Sequence, residues 1–142
     1  MNATVRNILA VIAGLLVGGI VNMAIIMKSG SIIPPPAGAD LTTEEGLKAA
    51  MHLMEPKHFL MPFLAHSLGT FVGAGLTAYL AATRKMRMAL IIGIFSLVGG
   101  GVDCYILPAP MWFIALDLLG AYIPVAYLAG KLFGKENSIA NE

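Results

Sequence analysis

Charge is scarce in this sequence. Asp, Glu, Lys and Arg make up 12% of its 142 residues and hydrophobic residues 58%, where soluble domains carry about 25% and about 45–50%. Such a chain has too little polar surface to face water, so the lipid bilayer is its expected solvent and first partner. A net charge of +1 leaves no basic footprint for nucleic acid. The single cysteine, Cys104, excludes an intrachain disulfide and a cysteine-rich zinc module. HExxH, GxSxG, a glycine-rich phosphate loop and a carboxylate-rich magnesium motif are all missing. No signature therefore names an enzymatic reaction, and no cofactor is expected.

Long apolar runs are what the sequence has instead. Residues 5–27, 59–82, 88–107 and 111–133 are each long enough to cross about 30 Å of hydrocarbon. The first is longer than the roughly 7–15 residues of a signal-peptide core, so it reads as a retained helix. Thr83 to Met88 (TRKMRM) forms a basic turn, and Pro108 and Pro110 bracket the last turn. The expected fold is all-α: a single membrane domain over residues 1–142, built as a four-transmembrane-helix bundle. Arg6, Arg84, Lys85, Arg87, Lys131 and Lys135 fall on one side. The positive-inside rule then places both termini in the cytoplasm and the long first loop outside.

That loop carries its own pattern. Pro34, Pro35 and Pro36 favour an extended stretch, and Thr42 with Glu45 matches a capping box. Leu47, Ala50, Met51 and Met54 form one apolar stripe. The spacing predicts a short amphipathic interfacial helix over residues 42–55, with Phe59, Tyr105 and Trp112 at the same interface.

Two stretches match without a gap: LVGGIVNM from Leu16 and LVGGGVDC from Leu97. Asn22 falls on Asp103, and Arg6 falls on Arg87. The register predicts two helical hairpins in tandem, related by an axis along the membrane normal.

Four polar residues share one depth. At about 1.5 Å per residue, Asn22, His66, Asp103 and Asp117 all lie roughly 7–11 Å below the outer boundary. Each lies on a face with small residues, including Gly14 and Gly18, Gly69 and Gly73, Gly99 and Gly100, and Gly120. Small residues let membrane helices approach, so each polar group should point into the bundle. Asn22 can be read as helix glue and His66 as a satisfied buried pair. Two aspartates and a histidine in one layer also read as a site, because two ionised carboxylates repel unless a proton or cation joins them. Pro124 should leave the Gly120 carbonyl free beside this layer.

His52, Glu55 and His58 are metal-ligand types at intervals of three. Pro56 interrupts their helix and His52 falls on the polar face, which equally reads as solvent-facing. Methionines gathered toward the outer side, with Cys104, would suit Cu(I) and are equally ordinary packing residues.

At SIIPPPAG, EPKHFLMPFLAHSLGT and LPAPMWF the chain resembles small bacterial integral membrane proteins of about this length, a group with no assigned activity. The resemblance implies a four-helix protein of the bacterial inner membrane and carries over no catalytic residue. Three functions are open on the sequence. The polar layer binds or relays a proton, metal ion or small polar solute; or the chain is an accessory subunit of a membrane complex; or it acts on a lipid or quinone with His66 as base. Transport by so small a bundle would favour a homo-oligomer, joined through a free face such as Gly69–Gly73.

Overall fold

The computed structural model describes residues 1–135. Their regular structure is helical: α1 (Ala3–Ile32), α2 (Glu44–Ala50), α3 (Leu60–Leu80), α4 (Lys85–Ile106), α5 (Met111–Gly120) and α6 (Ile123–Phe133). Short 3-10 turns cover Met51–Leu53 and Pro56–Phe59. Four stretches are long and apolar enough to cross a membrane: α1, Pro56–Leu80, α4 and Met111–Phe133. Their outer faces carry large apolar side chains, among them Ile12, Leu16, Ile20, Leu68, Val98 and Leu128. That is the distribution expected of a bundle solvated by lipid.

Glycine decides how the bundle closes. α1 and α3 run antiparallel, with Gly14 against Thr77, Gly18 against Gly69 and Gly73, and Asn22 against Gly69. A Cβ on Gly18 would lie 2.6 Å from the Gly69 carbonyl oxygen, and one on Gly73 would lie 2.7 Å from that of Gly14. Backbone therefore meets backbone, and the Thr77 hydroxyl donates across the contact to the Ala10 carbonyl at 3.1 Å. The Gly69–Gly73 face, expected to be free for a second copy, is occupied by α1. The small residues of α1 and α3 fit each other within one chain, which satisfies the face before any partner arrives.

α4 and α6 also run antiparallel, with Gly93 against Ala126 and Gly130 against Ala89 and Met86. α3 runs parallel to the α5–α6 segment, with His66 beside Asp117 and Gly75 beside Phe133. Ala74, Ala78, Ala89, Ile92, Ala126 and Ala129 form the buried centre. Close packing of such small side chains gains dispersion energy, the main attraction left once lipid has removed the hydrophobic drive.

Arg6, Arg84 and Lys85 collect at one end. Arg6 Nε donates to the Leu80 carbonyl at 2.8 Å. Asn7 caps the chain leaving α3: its Oδ1 accepts from the Ala82 N–H at 2.8 Å, and its Nδ2 donates to the Thr83 hydroxyl at 3.1 Å. Arg84 takes the left-handed conformation, φ 51°, to turn the chain into α4. Lys85 lies beside Gly134 after α6.

Three elements differ from the sequence expectation. α1 continues to Ile32, because the Ser29 and Ser31 hydroxyls fold back onto the Ile26 and Lys28 carbonyls and leave the helix intact. Its 30 residues span about 45 Å, more than a bilayer core.

The loop helix is shorter, and its cap is one residue later. Thr43 accepts from the Gly46 N–H at 3.0 Å, while Thr42 is held by Asp40 through its N–H and hydroxyl at 2.9 and 2.6 Å. The apolar stripe exists, but it packs on protein. Met51 joins Phe59 and Phe113 in a buried cluster, flanked by Leu47, Met54, Phe63 and Leu107. Phe59 is thus interior, tilted against Phe113 at 4.7 Å and edge-to-face with Trp112 at 5.5 Å, while Tyr105 alone of the expected aromatic belt is almost wholly exposed.

The last spanning stretch is two helices, broken at Ala121 and Tyr122. Pro124 has no N–H to return to the Gly120 carbonyl, and its ring crowds that carbonyl. Tyr122 takes up the change of direction at φ −115°, ψ −79°.

The matched stretches of α1 and α4 pack through different glycines. Gly18 is pressed on Gly69 while its counterpart Gly99 meets nothing within 4 Å; Gly19 meets nothing within 4 Å while its counterpart Gly100 lies against the Tyr122 hydroxyl. Of the triplet 99–101, only Gly100 is therefore a helix-packing surface.

Candidate functional site

His66 is fixed by the helix break. It sits on the second turn of α3, facing Asp117 on the last turn of α5. Its Nδ1 lies 2.9 Å from each carboxylate oxygen of Asp117. The Tyr122 hydroxyl donates to Asp117 Oδ2 at 2.7 Å and lies 2.9 Å from His66 Nδ1. A carboxylate only accepts, so with Asp117 ionised Nδ1 carries the hydrogen and Nε2 is left as the lone-pair nitrogen. Asp117 is 1% exposed and Tyr122 is 2% exposed, so the carboxylate is buried behind His66.

The other side of His66 forms part of a wall. A cleft of about 290 Å³ lies between α1, α3 and α4. α1 contributes Gly14, Gly18 and Asn22; α3 contributes His66 and Thr70; α4 contributes Ser96, Gly100 and Asp103; Tyr122 closes the end. Two polar atoms in it are buried and unpartnered among the described residues: Asn22 Oδ1 and Thr70 Oγ1. Thr70 is 2% exposed. A buried polar atom without a partner is costly and uncommon, and such an atom facing a cleft marks a place for a ligand or water.

Three of the expected polar residues, Asn22, His66 and Asp103, line this one cleft, and the fourth, Asp117, stands behind His66 rather than on the wall. Asp103 is at the rim and exposed, not sealed in the interior. The reason lies in its neighbours: Gly99 and Gly101 leave the flank of α4 open, and α1 does not close over it. The small faces around Gly14 and Gly18 and around Ser96 and Gly100 form the cleft as well as the helix contacts.

Tyr122 and Thr70 complete the site. Thr70 was legible as a polar residue on the His66 face. Tyr122 was not, because in an unbroken helix a residue five positions after Asp117 points about 140° away from it.

His58, in the first loop, does different work. His58 Nδ1 accepts from the Glu55 N–H at 2.9 Å, and its Nε2 faces the Pro34 carbonyl at 3.1 Å. Both ring nitrogens are engaged, so His58 ties the proline stretch to the start of the second span and has no lone pair for a metal. Glu55 pairs with Lys57 at 3.0 Å; this ammonium holds the Glu55 carboxyl below its usual range. Among the described residues no three His, Cys, Asp or Glu side chains converge as a metal group, so His52, Glu55 and His58 do not form one.

No protein-family model matches the chain, and no curated protein or solved structure matches it. No family is thereby assigned. What the structure shows is the coarser feature, four helical stretches long and apolar enough to span a membrane.

Proposed function

We propose that this chain is an integral protein of a bacterial inner membrane whose cleft binds a small polar group and exchanges a proton with it at His66 Nε2. The observation that carries the reading is the division of labour at His66. One ring nitrogen is held by Asp117 and Tyr122, while the ring itself forms the wall of a cleft holding two unpartnered polar atoms. A histidine so oriented can accept a proton at Nε2 and pair the resulting imidazolium with Asp117, the arrangement used in general acid–base chemistry. Asn22 and Thr70 orient what binds, and Asp103 at the rim offers a second acceptor.

The gathering of Arg6, Arg84, Lys85 and Lys131 toward one end supports an orientation with both termini cytoplasmic. The antiparallel pairs α1/α3 and α4/α6 support the tandem-hairpin reading of the repeat, although its glycines pack differently.

Purified protein in liposomes with an entrapped pH dye tests the proton role. Wild type is expected to pass protons faster than protein-free vesicles. Asp117→Asn should reduce that rate roughly 100-fold, the scale of a positioned acid–base group, and Asp103→Asn should reduce it less. Unchanged flux in both variants would sink the reading.

A further inference from the structure

The cleft opens sideways. α1 and α4 form its flanks, both seated on α3 but touching each other only sparsely. At the rim, Gly19 and Gly99 are exposed, and a Cβ on either would meet no atom within 4 Å. Phe95 on the same rim is 57% exposed. The interval from Gly99 to the end of α4 at Ile106 corresponds to about 10 Å along the helix. With α4 taken as a membrane span, the opening at Gly99 would lie at acyl-chain depth, with Asp103 nearer the headgroups. A water-borne solute would have to cross the headgroup layer to reach it, whereas a lipid-soluble molecule is already there.

Size and chemistry narrow the occupant. About 290 Å³ is at the bottom of the roughly 300–1,000 Å³ range of ligand pockets, enough for a head and not for a tail. Among the described residues no lysine or arginine lines the cleft, which disfavours a phosphate or carboxylate head. The free groups both accept and donate: Asn22 Oδ1, His66 Nε2 and the Asp103 carboxyl oxygens accept, while the Thr70 and Ser96 hydroxyls and the Asn22 amide nitrogen donate. Their complement is a neutral head bearing hydroxyl groups, which do both.

We infer that the cleft admits such a head laterally from the bilayer, between α1 and α4 at Gly19 and Gly99, and leaves its apolar tail in the lipid. A quinol ring and a diacylglycerol head share this chemistry. The inference rests on the reading of the cleft as a binding site and names the ligand class that site takes.

The full chain in phosphatidylcholine nanodiscs provides the test, with retention of each probe compared with empty discs. The probes are a decyl-substituted benzoquinol and dioctanoylglycerol, each against its tail-less head, hydroquinone or glycerol. One tailed probe is expected to bind, and which one identifies the source. Its tail-less head should bind at least about tenfold more weakly. Thr70→Val removes the buried hydroxyl, and Gly99→Leu adds bulk at the rim from a position where a Cβ meets nothing within 4 Å; each should weaken binding roughly tenfold. Gly101→Leu, equally unhindered but outside the cleft, should bind as wild type.

Failure of both tailed probes, equal binding by the tail-less heads, or wild-type affinity in Gly99→Leu would each overturn the inference. If proton flux depends on Asp117 while neither tailed probe binds, the polar site stands and lateral access falls. If a tailed probe binds with the stated variant pattern while flux is independent of Asp117, lateral access stands and the proton role falls.

Discussion

Adding one methyl group at Gly18 should separate α1 from α3. An alanine Cβ there would lie 2.6 Å from the Gly69 carbonyl oxygen and 3.2 Å from the Gly73 Cα. Carbon-to-carbonyl contacts in packed helices begin near about 3.3 Å, so the methyl is roughly 0.7 Å too close. Both obstacles are backbone atoms, and no rotamer change relieves them; the helices themselves must move. A shift of that size would stretch the 3.1 Å bond from Thr77 to the Ala10 carbonyl beyond hydrogen-bonding range. Overpacking typically costs about 1–3 kcal/mol, and an interhelical hydrogen bond in a membrane adds about 0.6 kcal/mol. The expected loss for Gly18→Ala is therefore roughly 2–3 kcal/mol.

The neighbouring residue is the internal control. A Cβ on Gly19 meets nothing within 4 Å, and alanine favours a helix over glycine by up to about 1 kcal/mol. Gly19→Ala should be neutral or stabilising. Reversible unfolding in bicelles, read by helical circular dichroism against denaturing detergent fraction, compares the two. The refuting result is equal stability for Gly18→Ala and Gly19→Ala, because the close approach of α1 and α3 predicts a loss at the first position and none at the second.

Two further outcomes follow from other parts of the chain. Tyr122→Phe strips a 2.7 Å donor from the buried Asp117 carboxylate; it should cost roughly 1–2 kcal/mol in the same unfolding assay, and Tyr122→Phe as stable as wild type would contradict the triangle. In the outer loop, the Thr42 hydroxyl and N–H hold the Asp40 carboxyl below its usual range. A depressed folded-state value means that this support is present above the unfolded pKa and is lost as pH falls through the folded one, so the protection of the Thr42 and Gly46 amides, taken relative to their intrinsic exchange rate at each pH, should fall on acidification while α3 and α4 stay protected. Loop protection that is constant with pH would refute that link.

Much of this architecture was legible because lipid imposes a simple rule on sequence. Runs of apolar residues long enough to cross the bilayer must be helical, since no water is present to satisfy the backbone. The segment ends were less legible for local reasons. Ser29 and Ser31 read as the beginning of a loop, yet their hydroxyls bond back to the preceding turn and extend α1. Thr42 and Thr43 are both competent caps, and Asp40 decides between them by holding Thr42 and leaving Thr43 for Gly46. The stripe on α2 could be read from spacing, but its partner could not: Met51 reaches Phe59 and Phe113, which lie on two other segments.

The site shows where one-dimensional reading ends. Depth alone put Asn22, His66, Asp103 and Asp117 in one layer, since rise per residue is fixed along a helix. Depth does not say which side of a helix is covered. Gly18 and Gly99 occupy matched positions, but α3 presses on Gly18 and nothing presses on Gly99; that difference places Asp103 at an exposed rim. Pro124 was visible as an interruption, and the lost bond to the Gly120 carbonyl follows from its chemistry. The consequence for Tyr122 is three-dimensional: only the break swings it back to Asp117, where it completes the hydrogen bonding around His66. The same proline that interrupts the span thus brings the Tyr122 hydroxyl onto the carboxylate that faces His66 Nδ1.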